Sequence, residues 1–359
     1  GARFANALVR MNASPAEIEQ MIQEAVDVRS QHVAELRRIK RAFDEGKLET
    51  LLERDRKFWK RFKNTVYDTE GKEIAGWDDE KVNWQALMET RSSISFGRAN
   101  PEAVNETTRR KGAFHELGHY IDMKIFNGLR MIATLLTVVP RRGSLGMVAH
   151  IPHDTREQHP QEFYEGLIRT SIGSWVTEHF FFGQNLPGVT GDLRNATNIA
   201  CLMVGKFGMS FLDCSKEDQK YYRTIGEILI SEPETSMFNP QATALLESVL
   251  RNPESRSKVA IILGMAAIDD YRITRRNQGI YLEVIPEFMA LDEFSGNLLT
   301  ELGQRLDKQL VPLNQMAKAD RQARPTKAFA VANPFYGGDR AEGADIREKV
   351  DALIEGGAS

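Results

Sequence analysis

The stretch KGAFHELGHYIDMKIF, residues 111–126, sets two histidines four residues apart, puts a glutamate directly after the first, and runs on into apolar sequence. On a helix, positions i and i+4 lie on one face, a turn apart. His115 and His119 can therefore turn imidazole nitrogens toward one ion about 2 Å away, as a zinc site requires. Glu116 stands beside the first histidine, where it can take a proton from water held at such a site and return it to a leaving amine. The pattern alone does not decide the matter. In a chain with 7 histidines it arises by composition in roughly one case in a hundred, and the plain alternative is a helix with two partly buried imidazoles. Gly118, between the histidines, costs a helix about 1 kcal/mol relative to Ala, so its presence points to the close approach of another segment or a substrate.

A catalytic zinc needs a third protein ligand and an open position. Glu178, in SWVTEHFFFG, would complete a set of two histidines and a glutamate. Asp192, in VTGDLRNATNIA, stands at a helix start, where the helix N-terminus favours a carboxylate; on spacing alone it reads better as an ordinary first-turn acid. His150, His153 and His159 are further candidates, expected on the loop after the second strand. Spacing does not choose among them.

Outward from this helix, the chain reads as mainly α with a small antiparallel β-sheet. SPAEIEQMIQEAVDVRSQHVAEL opens with a Ser-Pro helix start and has Glu17 three residues after Ser14, as in a capping box. Charge dominates from 37 to 63, a turn-like stretch follows, and a short helix is expected near 82–91. RANPEAVNETTRRKGAFHELGHYIDMKIF reads as one helix with Asn100 as N-cap and Pro101 in first position. MIATLLTVV and SLGMVAHI, separated by PRRG, read as two antiparallel strands. Beyond 160 helical periodicity returns at about 160–182, 192–206, 216–231, 240–251, 254–275, 279–291 and 293–310. The remainder is Pro/Gly-rich, expected to be flexible, with a last short helix near 344–355.

Composition sets outer bounds. With 359 residues, 42% hydrophobic and 27% charged, the chain can bury at least one sizeable core and is not broadly disordered. Lys and Arg number 47 against 50 Asp and Glu, a net charge of −3, which gives no global electrostatic case for nucleic-acid binding. Two cysteines, Cys201 and Cys214, are too few for a disulfide framework and fit a reducing compartment. The longest apolar run, MKIFNGLRMIATLLTVVP, is broken by Lys124, Asn127, Gly128 and Arg130, so no span is expected in it.

Several stretches together resemble one family, the FtsH-type AAA zinc metalloproteases. HELGHYI resembles the family's HEAGH helix, TVVPRRGSLGMVAHIP its P-R-G-x-A-L-G stretch leading into an edge strand, and GSWVTEHFFFG its G-G-R-A-A-E-E-L-V-F-G. TGDLRNATNIACLMVGKFGMS is similar to T-G-A-x-N-D-L-x-x-A-T-x-I-A-R-x-M-V-x-x-Y-G-M-S almost throughout. Four motifs in order over about 105–210 carry the resemblance, and the helices over 257–299 resemble the family's closing ones more weakly. It implies an FtsH-like zincin peptidase domain over 96–310, with His115, His119 and Asp192 on zinc, Glu116 as the base, and Glu178 beside the site without ligating. Residues 1–95 resemble a helical AAA-lid segment carrying a charged insertion at 37–80, and 311–359 form the tail. The resemblance further implies an endopeptidase for unfolded or unstable proteins, gripping substrate along the strand at 144–151. It also implies a homo-hexamer, and a parent protein on the cytoplasmic or stromal face of a membrane.

The chain departs from the family in places. The family's A-x-N before the metal aspartate is missing here, so the loop delivering Asp192 is shorter, and in PRRGSLG the glycine is displaced by one position. No G-x-x-x-x-G-K-[ST] occurs, so ATP binding through a P-loop is not expected. The chain is expected to be a piece lacking its ATPase. Two other readings compete with the peptidase. One is an inactive peptidase-like scaffold or adaptor of an AAA assembly. The other is a stacking or membrane surface made by RDRKFWKRFKN, against the simpler reading of an amphipathic helix with packed aromatics.

Overall fold

Helix periodicity and caps account for most of the architecture. The structure, a computed structural model, describes residues 15–81, 90, 104–127, 131–141, 144–152, 159–210, 212, 214–231, 240–324 and 342–356. The described residues are mainly helical with a three-stranded antiparallel sheet, as expected. They divide into two compact units, one drawn from 1–109, 132–154 and 287–304, the other from 110–131, 155–286 and 305–359.

In the first unit, helices α1 (Pro15–Asp44) and α2 (Glu53–Val66) close on a shared core of Leu36, Ile39, Trp59, Phe62 and Val66, with Phe43, Phe58 and Tyr67 against it. The aromatics of RDRKFWKRFKN are thus packing residues. Two of its cations face acids of the same unit: Lys57 Nζ lies 3.0 Å from Asp292 and Arg61 3.6 Å from Glu293. The amphipathic-helix reading of this segment therefore accounts for its residues. Strands β1 (Met131–Thr137) and β2 (Met147–Pro152) lie where expected.

A third strand, β3 (Glu293–Ser295), pairs antiparallel with β1 in the register Leu135↔Ser295, Leu136↔Phe294 and Thr137↔Glu293. The sheet order is β2-β1-β3, so β2 is an edge among the described residues. The sequence reading ended one helix at about 291, as found, and began the next at 293, where β3 stands instead and the helix starts at Gly296. Between them Asp292 takes a left-handed backbone (φ 62) and closes the preceding helix by donating its N–H to the Phe288 carbonyl at 2.7 Å. Asp tolerates that conformation better than most residues. Lys57 and Arg109, 3.0 and 3.1 Å from its carboxylate, hold it there.

The second unit is a helical assembly. Helix α3 (Glu106–Asn127) begins later than the sequence reading placed it. Its cap is Asn105, whose side chain accepts the Thr108 N–H at 2.9 Å, whereas Asn100 and Pro101 lie outside the described residues. Helix α4 (Gln161–Phe182) ends at Gly183, which adopts φ 68. Helix α5 (Thr190–Leu202) runs into a π-helical turn, Met203–Phe207, and α6 (Lys216–Leu229), α7 (Pro240–Arg251) and α8 (Pro253–Arg276) follow. Helices α9 (Gln278–Leu291) and α10 (Gly296–Gln309) are shared, with 287–304 in the first unit, and the short α11 (Lys318–Arg321) and α12 (Ala344–Gly356) follow in the second.

Helix α8 is central, packed by α4, α5, α6 and α7, which is why its apolar residues are not confined to one stripe. It meets α6 through glycines: a Cβ at Gly226 would lie 1.7 Å from the Ala260 carbonyl oxygen, and one at Gly264 would lie 1.9 Å from that of Tyr222. Helix α12 is docked on α4, where Gly343 donates its N–H to the Phe180 carbonyl at 2.9 Å. Residues 82–89 and 325–341, with the helix expected near 82–91 and most of the tail, lie outside the described residues apart from Thr90. No helix among the described residues is long and apolar enough to cross a membrane.

Candidate metal centre

The helical repeat puts His115 and His119 on one face of α3, and Gly118 puts α4 within reach of them. A Cβ at Gly118 would stand 2.5 Å from Thr177 Oγ1 and 3.1 Å from the Gly173 carbonyl oxygen, so only glycine allows this approach. Helix α4 then fixes both imidazoles from behind. His119 Nδ1 lies 2.6 Å from the Thr170 carbonyl oxygen, and His115 Nδ1 lies 2.8 Å from Glu178 Oε1. A carbonyl or carboxylate oxygen only accepts, so each Nδ1 carries the proton. Each Nε2 of the neutral ring is then left with its lone pair facing forward. Glu178 is itself held, its Oε2 accepting the Leu186 N–H at 2.6 Å.

Asp192, in the first turn of α5, brings a carboxylate to the same point. Its Oδ2 is 3.4 Å from His115 Nε2 and 3.5 Å from His119 Nε2, and the two Nε2 atoms are 3.2 Å apart. Ser174 Oγ donates to Asp192 Oδ2 at 3.4 Å. The shortened loop before Asp192 therefore still delivers the carboxylate to the histidines. His115, His119 and Asp192 form the one group among the described residues able to offer three donors to a single ion.

The triangle tests whether a metal fits. Bonds of 2.0–2.1 Å to a tetrahedral ion leave neighbouring donor atoms about 3.3–3.4 Å apart, which matches the three separations. The donor chemistry agrees, because two imidazole lone pairs and a carboxylate oxygen pointing at one another repel unless a cation or proton lies between them. A proton between them would serve the same end, and the electrostatics of the three groups agree with this. Burial lowers the proton affinity of His115, but hydrogen bonds to Asp192 and Glu178 outweigh it and raise its pKa to about 10. His119 is shifted the same way, the charge of Asp192 overcoming burial. For Asp192, burial is outweighed by the charge of His119 and the imidazole hydrogen bonds, which hold its carboxyl well below the usual range.

Glu116, 6% exposed, has its pKa raised by burial against the opposing pull of His115 and His119. A carboxylate poised upward in this way is suited to proton exchange with a reacting group. The other candidates lie elsewhere. His150 is in β2, His159 stacks on Phe163 with centroids 3.9 Å apart, and His153 is outside the described residues. Glu178 approaches the imidazole of His115 from the side opposite the triangle. Sequence reasoning missed the Thr170 carbonyl, which no side-chain pattern reveals, and Ser174.

Comparison with known proteins shows what the segment around these residues is similar to. The sequence pattern of Peptidase family M41 matches residues 102–252. An ATP-dependent zinc metalloprotease FtsH from Akkermansia muciniphila is 38% identical over 133 residues, 36% of this chain and 16% of that protein. The proteins of that name from Pelobacter propionicus and Pelodictyon phaeoclathratiforme are 30% and 32% identical over 129 and 145 residues, each match covering 36% of this chain and 20% and 22% of theirs. The chain thus spans about a fifth of the length of these curated relatives. With the helix-borne histidine pair and the order of motifs already described, these matches support a likeness of residues 102–252 to the FtsH-type peptidase domain of family M41.

Proposed function

We propose that the chain hydrolyses peptide bonds at a zinc ion held by His115, His119 and Asp192, with Glu116 as the general base and acid. The observation that carries this reading is the 3.2–3.5 Å triangle of donor atoms. Bound there, zinc would polarise the scissile carbonyl and lower the pKa of water to near neutrality. The protein's own groups do the rest. Glu178 and the Thr170 carbonyl keep each imidazole in the tautomer whose Nε2 is free, and Ser174 orients the Asp192 carboxylate. Glu116, buried and raised in pKa, takes a proton from the attacking water and gives it to the leaving amine.

The substrates we propose are unfolded or unstable polypeptides, gripped by backbone pairing along the free edge of β2. Backbone pairing is indifferent to side chains and suits a degradative enzyme. By analogy with its relatives, whose names include ATP dependence, the domain works in a homo-hexameric ring with an AAA ATPase module upstream. The parent protein is placed on the cytoplasmic or stromal face of a membrane. We further propose residues 1–95 as an AAA-lid-like segment, 96–310 as the peptidase and 311–359 as a tail.

The test is cleavage of an unstructured fluorogenic polypeptide by the purified chain with zinc, alongside Glu116→Gln. Cleavage by the parent that is lost in the variant is the expected result. An intact substrate with zinc fully bound would favour the inactive scaffold.

A further inference from the structure

One buried cluster in the second unit takes no part in the chemistry above. Both carboxylate oxygens of Asp122, on α3, and both of Asp270, on α8, are buried without a hydrogen-bond partner. The two residues are 1% and 0% exposed. Asp122 lies tight against α4, where a Cβ on Gly173 would stand 1.8 Å from its Oδ2. The charged and titratable groups acting on the pair are few: Arg169 from α4, Asp269 from α8 and the Tyr281 phenol from α9. The one cation among these is committed elsewhere. Arg169 donates to Asp269 Oδ2 at 2.9 and 3.3 Å and to Glu165 Oε2 at 3.5 Å, and Tyr281 Oη lies 3.2 Å from Thr177 Oγ1.

A carboxylate sealed from water with neither cation nor donor does not stay ionised; it takes up a proton instead. Two such groups that sense each other's charge discourage double ionisation further. We propose that Asp122 and Asp270 form a proton-binding pair that retains at least one proton at neutral pH, so that α3, the helix carrying His115 and His119, is locked to α4 and α8 only while that proton is held. A proton rather than a metal ion is the ligand, because Asp269, the third acid at hand, is spent on Arg169, whose charge also opposes a cation. The raised proton affinity that burial gives both groups agrees with this assignment.

The sign of the effect follows from linkage. An unfolded chain releases Asp protons above about pH 4, whereas the folded pair keeps at least one. Stability therefore falls as pH rises, with the folding equilibrium dropping about tenfold per pH unit for each proton retained. That slope continues until the folded pair itself ionises. Asn has no proton to release in either state. Chemical denaturation of the full chain between pH 5 and 8 should accordingly show a shallower decline for the double variant Asp122→Asn/Asp270→Asn than for the parent, by about tenfold per unit for each proton the pair retains. Infrared spectroscopy at neutral pH of Glu116→Gln, which removes the other buried acid with raised proton affinity, should show a protonated-carboxyl C=O band, and it decides the question alone if the double variant does not fold. Parallel pH profiles for parent and double variant would overturn the proposal, as would absence of the band.

Discussion

Glu178 offers a sharp test of how the candidate metal centre is held. It is 2% exposed, and its two oxygens do different work, Oε1 accepting from His115 Nδ1 at 2.8 Å and Oε2 from the Leu186 N–H at 2.6 Å. Glu178→Gln preserves size but replaces one acceptor by an NH2 donor. Whichever way the amide is turned, one N–H is left facing another at hydrogen-bond distance. Leaving a buried donor unsatisfied costs about 1–3 kcal/mol. If the amide oxygen goes to Leu186, His115 loses its Nδ1 acceptor and the preference for the tautomer with a free Nε2. Loss of such an outer partner weakens metal binding by about 10–100-fold. The assay is zinc competition with a chromophoric chelator, run beside thermal melts of the metal-free protein. The expected result is a zinc dissociation constant raised at least tenfold. An affinity within about threefold of the parent's would refute the reasoning, because the carboxylate would then be neither orienting nor polarising His115.

Other consequences are as specific. Gly226→Ala places a methyl 1.7 Å from the Ala260 carbonyl oxygen, backbone that cannot swing aside, so α6 and α8 must part; a loss of about 3 kcal/mol and a melting point lower by about 6–12 °C are expected, whereas Gly188→Ala, with nothing within 4 Å, should be silent. Asn252 caps α8 through the Ser255 N–H at 2.9 Å, and Asn252→Ala should cost about 1 kcal/mol in denaturant titration. For the metal-free protein, the protonated His115 contributes stability that is complete below its ordinary value of 6.5 and is lost as pH rises through about 10. Zinc requires the deprotonated ring, so at pH 6–8 the stabilisation added by zinc should grow with pH. A zinc-induced shift in denaturation midpoint that shrinks over that range would contradict the assignment.

Much of this was legible in the sequence, and unevenly so. The helices from 161 onward could be read because their apolar spacing is regular and their ends carry local signals, such as Ser215 and Asn252 as N-caps and Gly183 and Gly208 in left-handed conformation. The start of α3 was harder: Asn100 followed by Pro101 is the better local signal, yet the cap is Asn105, and competition between such signals is settled by packing. Strand β3 has three residues, too few for periodicity to register, and exists because β1 offers it a partner. Within the site, His115, Glu116 and His119 follow from helical spacing alone. Asp192 does not, since spacing allowed Glu178 equally, and only the family resemblance separated them. The Thr170 carbonyl could not be read at all, because any residue supplies one. The Asp122–Asp270 pair was hidden for another reason: an acid in an apolar helix reads as a solvent-facing residue until the fold brings two together in the interior.

The central claim is that His115, His119 and Asp192 hold a metal through the atoms that now face one another. Zinc counting with X-ray absorption on the purified chain tests it most directly. The account predicts one zinc per chain with two nitrogen ligands and a carboxylate oxygen from the protein, and loss of that zinc in Asp192→Ala while the helical fold persists. A folded chain that takes up no zinc, or keeps it unchanged without Asp192, would contradict it.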